Sequence, residues 1–375
     1  MISNEKFFNS LKNNGIDFFS GVPDSLLKDF CAYLTDNTTS KEHIITANEG
    51  AAIALASGYH LATQKVPLVY LQNSGLGNTI NPLLSLADPE VYSIPIVVMV
   101  GWRGEPGLHD EPQHLKQGRV QNSILDAIEM PYFELNKGIS NVSEFVARTV
   151  AKAKEINGPV AIVVSKNTFE PYKLLDDKVS EYTLTREEAI SFVLDKLSSD
   201  DIVVSTTGKP SREVYEYRVH NKEGHQNDFL TVGSMGHTSQ IALGIAMNSK
   251  RKVFCLDGDG SVIMHMGSLG VIGSNAPDNF KHIILNNGAH DSVGGQPTIG
   301  FDISIPAIAK ECGYKKVFSA SSIEELSNRF QEFLDASGPS LFEIKVKKGA
   351  RKDLGRPKST PVENKTELMK LLKTD

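Results

Sequence analysis

Two short polar motifs have the residue types of a site for a diphosphate and a metal ion. The first, Asp-Gly-Asp-Gly-Ser, ends at Ser261 and follows the apolar run Val253–Leu256, and the second, Asn-Asn, ends at Asn287 and follows the apolar run Ile283–Leu285. Carboxylate and amide oxygens are ligands that Mg²⁺ prefers, and glycines let the backbone approach phosphate oxygens closely. Because both runs predict strands, the two strand ends could present these groups to one metal ion and its diphosphate.

The size and composition predict a globular protein with room for two hydrophobic cores. The chain has 375 residues, of which 40% are hydrophobic, and a net charge of −6. This charge gives no reason to expect nucleic acid or an anionic membrane as a partner. The three cysteines form no zinc-ligand spacing, and Cys255 lies in a predicted strand, so we expect a buried thiol and a cytoplasmic protein. No secretory signal or membrane-spanning run is predicted.

Both halves of the chain alternate short apolar runs with helical segments. Further runs of this kind are Ile16–Phe19, Leu68–Leu71, Ile94–Val100, Val160–Val164, Ile202–Ser205 and Leu341–Val346. The alternation predicts an α/β protein with two parallel-sheet domains. We place the first domain at residues 1–170, a linker at 171–183 and the second domain at 184–375, which would open with a capping box of Thr185 and Glu188. Dinucleotide and Walker A fingerprints are both incomplete, which disfavours a nucleotide-dependent enzyme.

The spacing of the two opening motifs resembles the diphosphate-binding motif of thiamine diphosphate enzymes. The resemblance implies thiamine diphosphate and Mg²⁺ as cofactors, and a pyrimidine-binding domain followed by a diphosphate-binding domain. It also implies Asp259, Asn287 and the backbone carbonyl of Ala289 as metal ligands. Gly260 and Ser261 would open a helix and add backbone amides to the diphosphate. Two other segments resemble cofactor-contacting loops of the family, and their residues are Thr207 and Gly208 in one, and Gly233, Ser234 and the apolar wedge Met235 in the other.

Glu49 heads a helix of small apolar residues that resembles the glutamate helix of the same family. The resemblance implies that Glu49 hydrogen-bonds the pyrimidine N1′ and promotes the tautomer that activates the cofactor. A carboxylic acid in a dry pocket can share a proton with such a weakly basic nitrogen. A first-turn glutamate can also simply favour the helix N-terminus. In this family the glutamate reaches the cofactor across a subunit interface, which implies a homo-oligomer of at least two chains with shared active sites.

The absence of a central domain limits the chemistry. The two predicted domains are joined by a short linker, which leaves no room for a flavin- or nucleotide-binding insert, and three cysteines are too few for an iron–sulfur cluster. Non-oxidative decarboxylation of a 2-oxo acid is the simplest chemistry that remains.

Several polar segments are candidates for binding a small anionic substrate, although solvated loops would also explain them. The substrate candidates are Asp24, Ser25, Arg103, Asp110, Gln296, Arg351 and Arg356, and the candidates for a proton relay are His109, His114 and His290. Leu-His-Asp-Glu-Pro-Gln-His, Gly-Gly-Gln-Pro and Leu-Gly-Arg-Pro in these segments resemble phosphonopyruvate decarboxylases. The resemblance implies 3-phosphonopyruvate as the substrate, on the route of phosphonate biosynthesis toward 2-aminoethylphosphonate.

Three alternatives stay open at this stage. The nearest is a sulfopyruvate decarboxylase, although its two domains are commonly separate chains, so the fusion seen here favours the phosphonate substrate. A carboligase of the same cofactor family would usually carry a central domain. An inactive cofactor-binding subunit is disfavoured, because it would have no physical need for Glu49 beside both metal ligands.

Overall fold

Two parallel six-stranded sheets form the frame of the described residues, 1–175 and 181–373, in the computed structural model. Each sheet belongs to one of two units, the first made of residues 1–177 and 293–296 and the second of residues 178–292 and 297–375. The predicted linker, 171–183, includes residues 176–180, which lie outside the described residues, so its boundaries stay a prediction. Among the described helices, none is long and apolar enough to cross a membrane.

The first unit has the strand order β2-β1-β3-β4-β6-β5, with every neighbouring pair parallel. Its strands are β1 (Phe19–Gly21), β2 (His43–Ile45), β3 (Leu68–Gln72), β4 (Val97–Gly101), β5 (Tyr132–Leu135) and β6 (Val160–Val164). Its helices are α1 (Asn4–Asn13), α2 (Lys28–Asn37), α3 (Glu49–Thr63), α4 (Leu76–Pro82), α5 (Pro112–Ala127) and α6 (Val142–Ile156), with single turns of other helix types at Asn73–Gly75 and Leu83–Ala87.

Alternate residues of the central strands enter two separate hydrophobic clusters. Val97 and Met99 of β4 lie in one cluster, and Val98 and Val100 lie in the other. Because successive side chains of a strand point to opposite faces, both faces of this sheet are covered. This arrangement confirms the predicted parallel α/β architecture.

Two strands in this unit differ from the predicted ones by more than one residue at a boundary. β4 begins at Val97 rather than Ile94, because Pro95 has no N–H to donate to a neighbouring strand. The predicted strand Ile16–Phe19 pairs only from Phe19 onward, where β1 lies between β2 and β3. Ser20 and Gly21 carry no apolar signal, so hydrophobic patterning alone could not place this strand.

The second unit has the strand order β11-β12-β10-β9-β7-β8, again all parallel. Its strands are β7 (Ile202–Ser205), β8 (Asp228–Leu230), β9 (Val253–Gly258), β10 (Phe280–Asn286), β11 (Lys316–Ala320) and β12 (Ser340–Lys345). Its helices are α7 (Arg186–Asp195), α8 (Lys209–His220), α9 (Thr238–Ala246), α10 (Asp259–Met264), α11 (Ser268–Asn275), α12 (Ile305–Glu311), α13 (Ile323–Asp335) and α14 (Pro361–Leu372), with a 3-10 turn at Asp291–Val293. The predicted capping box at the start of α7 is confirmed.

The pairing of β9 with β10 brings the two polar motifs to one edge of this sheet. Leu285 pairs with Gly258, so the two strands end side by side. Asp259 then opens α10, and Asn287 follows β10. The carboxyl end of a parallel sheet is where α/β folds bind ligands. Cys255, further back on β9, is fully buried as expected.

Candidate active site

Asp259 places a carboxyl group in the interior at the carboxyl end of β9. The residue is only 2% exposed, and it accepts hydrogen bonds from the Thr298 hydroxyl and from backbone amides that include those of Gly260 and Asn287. Burial raises the pKa of Asp259 to about 6, although these hydrogen bonds offset part of the effect. Because the donors are neutral, they leave the charge of the carboxylate unbalanced. A divalent cation would balance it, so the surroundings of Asp259 suit a metal ligand.

Asn287 presents a buried amide beside Asp259. Its Nδ2 donates to Asp291 at 2.8 Å, and its Oδ1 accepts from the backbone amide of Ala289 at 3.1 Å. An amide oxygen has two lone pairs, so one of them is left by the Ala289 bond for a cation. Gly288 has a φ of +63° in this turn, and the Phe301 ring lies where a β-carbon would be. A glycine is therefore needed to place Ala289 next to the motif.

The Ser261 hydroxyl connects three strand ends of the second unit. It accepts hydrogen bonds from the Gly236 backbone amide at 3.1 Å and from the Thr206 hydroxyl at 3.3 Å. Thr206 follows β7, Gly236 lies in the loop after β8, and Ser261 lies in the first turn of α10 after β9. Ser261 thus brings together the loops after β7 and β8 and the glycine-rich motif after β9, which are separate in the sequence.

Gly260 leaves space that two predicted site residues share. A β-carbon at Gly260 would lie 3.1 Å from the His290 ring and 3.3 Å from the Met235 methyl group. Ser234 and Gly236, on either side of Met235, have φ of +55° and +86°, so the loop turns sharply and presents the methionine. Met235 and His290 therefore converge on the start of α10, where the resemblance places the cofactor.

The predicted loop of Thr207 and Gly208 approaches the residues that follow Asn287. Gly208 has a φ of +96°, and a β-carbon there would lie 2.7 Å from the Ser292 hydroxyl. Thr207 is half-buried next to it, and Gly233 is half-buried in the loop after β8. Both backbone segments are accessible at the edge of the sheet, as a cofactor-contacting loop requires.

Glu49 lies in a notch of the first unit. The side chain is 5% exposed, and Asn78 of α4 donates to its Oε2 at 2.7 Å. A β-carbon at Gly75 would lie 2.1 Å from its Oε1, so the glycine makes the room for the carboxyl group. Asn48 caps α3 by accepting from the Ala51 amide. The cap and the notch fix the carboxyl group at the carboxyl ends of β2 and β3.

Arg103 and Asp110 form an ion pair at the carboxyl end of β4. Arg103 donates from Nε to Asp110 at 2.8 Å, from its second terminal nitrogen to the other oxygen of Asp110, and from NH1 to Ser25 at 2.5 Å. Burial by itself raises the pKa of Asp110, but the Arg103 and Gly104 hydrogen bonds hold it at about 2. Asp110 therefore stays ionised, and it fixes the plane of the guanidinium.

Asp24 lies next to this ion pair and is fully buried. It accepts from Gln72 at 2.5 Å and from the Leu27 amide at 3.3 Å, and burial raises its pKa. A β-carbon at Gly101 would lie 2.1 Å from its Oδ2. Four of the predicted substrate residues (Asp24, Ser25, Arg103 and Asp110) are thus gathered at the carboxyl end of the first sheet.

The three candidate histidines have different surroundings. His109 is exposed in the loop before α5, whereas His114 is buried on that helix. Burial lowers the pKa of both His114 and His290 to about 4, so both rings are neutral at pH 7. Of the three, His290 is the one that lies against Gly260.

The other three predicted substrate residues contact residues other than Asp259 and its hydrogen-bond partners. Arg351 pairs with Glu187 at 2.9 Å, with Glu216, and with Asp353 at 3.3 Å, so an anionic substrate would have to compete with three carboxylates. Arg356 is exposed in the same segment. Gln296 is buried and groups with the first unit, where its amide donates to the Lys28 carbonyl at 3.4 Å.

Two family profiles match the chain in the order that the sequence predicts. The N-terminal TPP binding domain of thiamine pyrophosphate enzymes matches residues 3–130, and the C-terminal TPP binding domain matches residues 206–344. A phosphonopyruvate decarboxylase of Streptomyces viridochromogenes is 35% identical over 370 residues, which cover 93% of this chain and 89% of that protein. The chain belongs to the thiamine pyrophosphate enzyme family.

Two further relatives of this thiamine pyrophosphate enzyme match over most of their length. A phosphonopyruvate decarboxylase of Streptomyces hygroscopicus is 34% identical over 97% of this chain and 92% of that protein. A sulfopyruvate decarboxylase of Methanosarcina acetivorans is 28% identical over 92% of this chain and 91% of that protein. The predicted resemblance to phosphonopyruvate decarboxylases is confirmed. The Methanosarcina relative is a single chain that matches both halves, whereas other sulfopyruvate decarboxylase relatives match as separate subunits, so fusion alone does not distinguish the two substrates.

The sequence analysis missed several residues of this thiamine pyrophosphate enzyme that support the predicted site. They are Gly75 and Asn78 at Glu49, Thr298 at Asp259, and Arg186 and Asp291 behind Asn287. All of them except Asp291 are distant in sequence from the motif that they support. Asp291 stands directly after the metal motif, and this adjacency was the one signal that could have identified it.

Replacing Ser261 tests the connection of the three strand ends. In Ser261→Ala the buried Gly236 amide loses its acceptor, so we expect the free energy of unfolding to fall by about 1–3 kcal/mol. Denaturant unfolding measures this change. Ser327→Ala on the exposed face of α13 is the control and should stay within about 0.5 kcal/mol of the parent protein. Equal stability of the two variants would contradict the role given to Ser261.

Replacing Asp259 tests whether its charge is costly without a metal ion. The folded-state pKa of about 6 exceeds the ordinary 3.8, so the folded protein binds the extra proton between these values and loses stability as pH rises through them. Asp259→Asn should therefore stabilise the metal-free protein by roughly 1–3 kcal/mol above pH 6, and by much less near pH 4. The Thr298 hydroxyl can turn to accept from the new amide.

Denaturant unfolding at both pH values measures this difference, with the exposed Asp335→Asn as a control that should show no such pH dependence. A destabilising effect of Asp259→Asn at neutral pH would contradict the cost assigned to the buried charge.

Proposed function

We propose that this chain decarboxylates 3-phosphonopyruvate without oxidation, to phosphonoacetaldehyde and CO₂, with thiamine diphosphate and Mg²⁺ as cofactors. The observation that carries the proposal is the convergence of Asp259, Asn287, Met235 and His290 at one sheet edge. Full-length relatives named phosphonopyruvate decarboxylase support the choice of substrate. The free, buried thiols of Cys31 and Cys255 suit the reducing cytoplasm that we propose as its location, with phosphonate biosynthesis as its pathway.

In this proposal the second unit holds both cofactors. Asp259, the Asn287 side-chain oxygen and the Ala289 carbonyl bind Mg²⁺, and the amides of Gly260 and Ser261 bind the diphosphate. Thr207, Gly208, Gly233, Ser234 and Met235 contact the rest of the cofactor. Bound thiamine diphosphate supplies the nucleophilic carbon that adds to the keto group and accepts the electrons as CO₂ leaves.

Glu49 holds the proton that activates the cofactor in this proposal. Its Oε2 accepts from Asn78, and its Oε1 lies over Gly75, so the carboxyl group has one fixed orientation in a place of low exposure. A fixed carboxyl group can hold a proton toward the pyrimidine and take it back without rearranging.

We propose that the active protein is at least a homodimer, in which Glu49 of one copy serves the cofactor held by the other. The exposed face of α3, the helix that Glu49 opens, is apolar, and its residues are Ala51, Ala54, Leu55, Gly58, Leu61 and Ala62. Leu61 is 70% exposed. An apolar stripe of this length on a helix suits burial against a second copy.

Each unit by itself carries proposed substrate residues. Arg103, held in orientation by Asp110, and Ser25 offer donors to a phosphonate, with Asp24 beside them. His290 lies against Gly260, so we prefer it to His109 and His114 as the residue that would relay a proton to the product. Its ring is neutral at pH 7, so it would give up a proton from one nitrogen as the other nitrogen takes one up from water. The remaining three candidates are weaker. Arg351 is already paired with carboxylates, Arg356 is exposed in the same segment, and Gln296 hydrogen-bonds the Lys28 carbonyl.

A second candidate substrate is 3-sulfopyruvate. The Methanosarcina relative supports it, because that sulfopyruvate decarboxylase matches this chain over 91% of its length. The two acids differ in charge, since a phosphonate carries up to two negative charges where a sulfonate carries one. The same donors at Arg103 and Ser25 could serve either group.

Replacing Glu49 tests its assignment as the activating acid. Glu49→Gln keeps the size of the side chain but removes the ionisable carboxyl proton, so CO₂ release from 3-phosphonopyruvate should fall by about two to four orders of magnitude. The affinity for thiamine diphosphate should stay within about tenfold, because the second unit holds the diphosphate. Glu5→Gln, which changes an exposed glutamate in the first turn of α1, is the control. Near-normal turnover in Glu49→Gln would remove the role.

A further inference from the structure

Asp291 joins three segments of the second unit through one carboxylate oxygen. Its Oδ2 accepts from the Asn287 side-chain amide at 2.8 Å, from Arg186 at 3.0 Å and from the Gly349 backbone amide at 3.0 Å. These donors follow β10, open α7 and follow β12, respectively. The Asn287 side chain is therefore tied, through Asp291, to two other parts of the unit.

Arg186 holds Asp291 in place from a buried position. The guanidinium is 4% exposed, and it also donates from Nε and NH2 to Glu213 of α8, at 2.7 and 2.9 Å. This fork-like pair fixes the plane of the guanidinium and leaves NH1 aimed at Asp291. If the Asp291 carboxylate turned away, this buried N–H donor of Arg186 would lose its acceptor, which is costly.

The Asp291 carboxylate, which accepts three hydrogen bonds, decides which way the Asn287 amide points. An amide offers an oxygen on one side and an NH₂ group on the other, and only the oxygen can bind a cation. Because Asp291 can only accept, the NH₂ group must face it, and the oxygen then faces the Ala289 amide at 3.1 Å. A flipped amide would set two acceptors against each other at Asp291 and two donors against each other at Ala289.

We propose that Asp291, held by Arg186, is a positioning residue that turns the Asn287 oxygen toward the divalent cation and so sets the affinity for that cation. The inference rests on the proposed function, because it assumes that Asn287 binds Mg²⁺. It assigns Asp291 no contact with the metal ion, the cofactor or the substrate. Residues that orient a metal ligand typically contribute tenfold or more to metal affinity.

Asp291→Ala should weaken Mg²⁺ binding by about 10- to 100-fold, because both orientations of the Asn287 amide then become available. Asp291→Asn should bind Mg²⁺ more tightly than Asp291→Ala, since its side-chain oxygen can still accept from Asn287. The decisive variant is the double substitution Asp291→Ala with Asn287→Asp. A carboxylate has two equivalent oxygens, so its orientation no longer matters, and the double variant should regain at least about tenfold of the lost affinity.

The measurement is calorimetric titration of Mg²⁺ into full-length protein with saturating thiamine diphosphate, with a thermal melt of each metal-free variant. Asp335→Asn, an exposed aspartate on α13, is the control and should bind Mg²⁺ like the parent protein. A purely structural role for Asp291 would lower the melting temperature, but it would leave the Mg²⁺ affinity of the folded variants unchanged.

Three outcomes separate the inference from the proposed function. An Mg²⁺ affinity of Asp291→Ala within twofold of the parent protein would overturn the inference, and so would a double variant no better than Asp291→Ala. If Asp291→Ala does not fold, Asp291→Asn decides. Its neutral side chain can turn either end of its own amide toward Asn287, so it should bind Mg²⁺ at least about threefold more weakly than the parent protein, and equal affinity would contradict the inference. If the parent protein itself binds no Mg²⁺ with thiamine diphosphate, the proposed function fails.

Discussion

The arrangement of the second unit depends on one buried carboxylate. The hydrogen bonds that Asp259 accepts come from a hydroxyl group and backbone amides, none of which carries a positive charge to balance its own. Burial of an ionised carboxyl group is unfavourable unless a cation or strong donors accompany it. The buried charge of Asp259 therefore lowers the stability of the metal-free protein, and a divalent cation bound with a diphosphate would offset this loss. A residue that harms stability while it serves a ligand is typical of a functional site.

The fold brings that carboxylate and its partners together by a simple geometric device. Parallel strands that end in register put their next residues side by side, and β9 and β10 do so with Asp259 and Asn287. Ser261 then binds the loops after β7 and β8 to the same point. Behind them, Asp291 accepts from the Asn287 amide and is held in turn by Arg186, which is buried and paired with Glu213. The residues nearest the proposed metal ion are thus held by main-chain geometry first and by side-chain charges second.

The sequence predicts the parts of this arrangement that are local. Apolar runs give the central strands, and the capping box at Thr185 gives the start of α7, because both depend on neighbouring residues. The glycine-rich motif and the glutamate helix carry their own signals in residue type and spacing. The predicted strand Ile16–Phe19 overlaps β1 only at Phe19, because Ser20 and Gly21 join the sheet through backbone pairing without an apolar signal.

Contacts between distant segments were not predictable in the same way. No residue near Glu49 in the sequence indicates that Asn78 will hydrogen-bond it. In the same way, no residue near Asp259 indicates Thr298 as its partner. The segment after β12 carries Arg351 and Arg356, which stay predicted substrate residues. Arg351 is paired with Glu187 and Glu216, and sequence order could not reveal these pairs. Charge composition reports the number of charges, whereas the fold decides which of them stay available.

The central claim is that these two units carry out decarboxylation of a 2-oxo acid with a second anionic group. The most direct measurement is kcat/KM for CO₂ release by the full chain with thiamine diphosphate and Mg²⁺, on 3-phosphonopyruvate, 3-sulfopyruvate and pyruvate. We predict a preference for 3-phosphonopyruvate of at least about a hundredfold over pyruvate, because pyruvate has no second anionic group to receive charge-assisted hydrogen bonds from a donor such as Arg103. Equal rates on pyruvate, or no CO₂ from any of the three acids, would contradict the account.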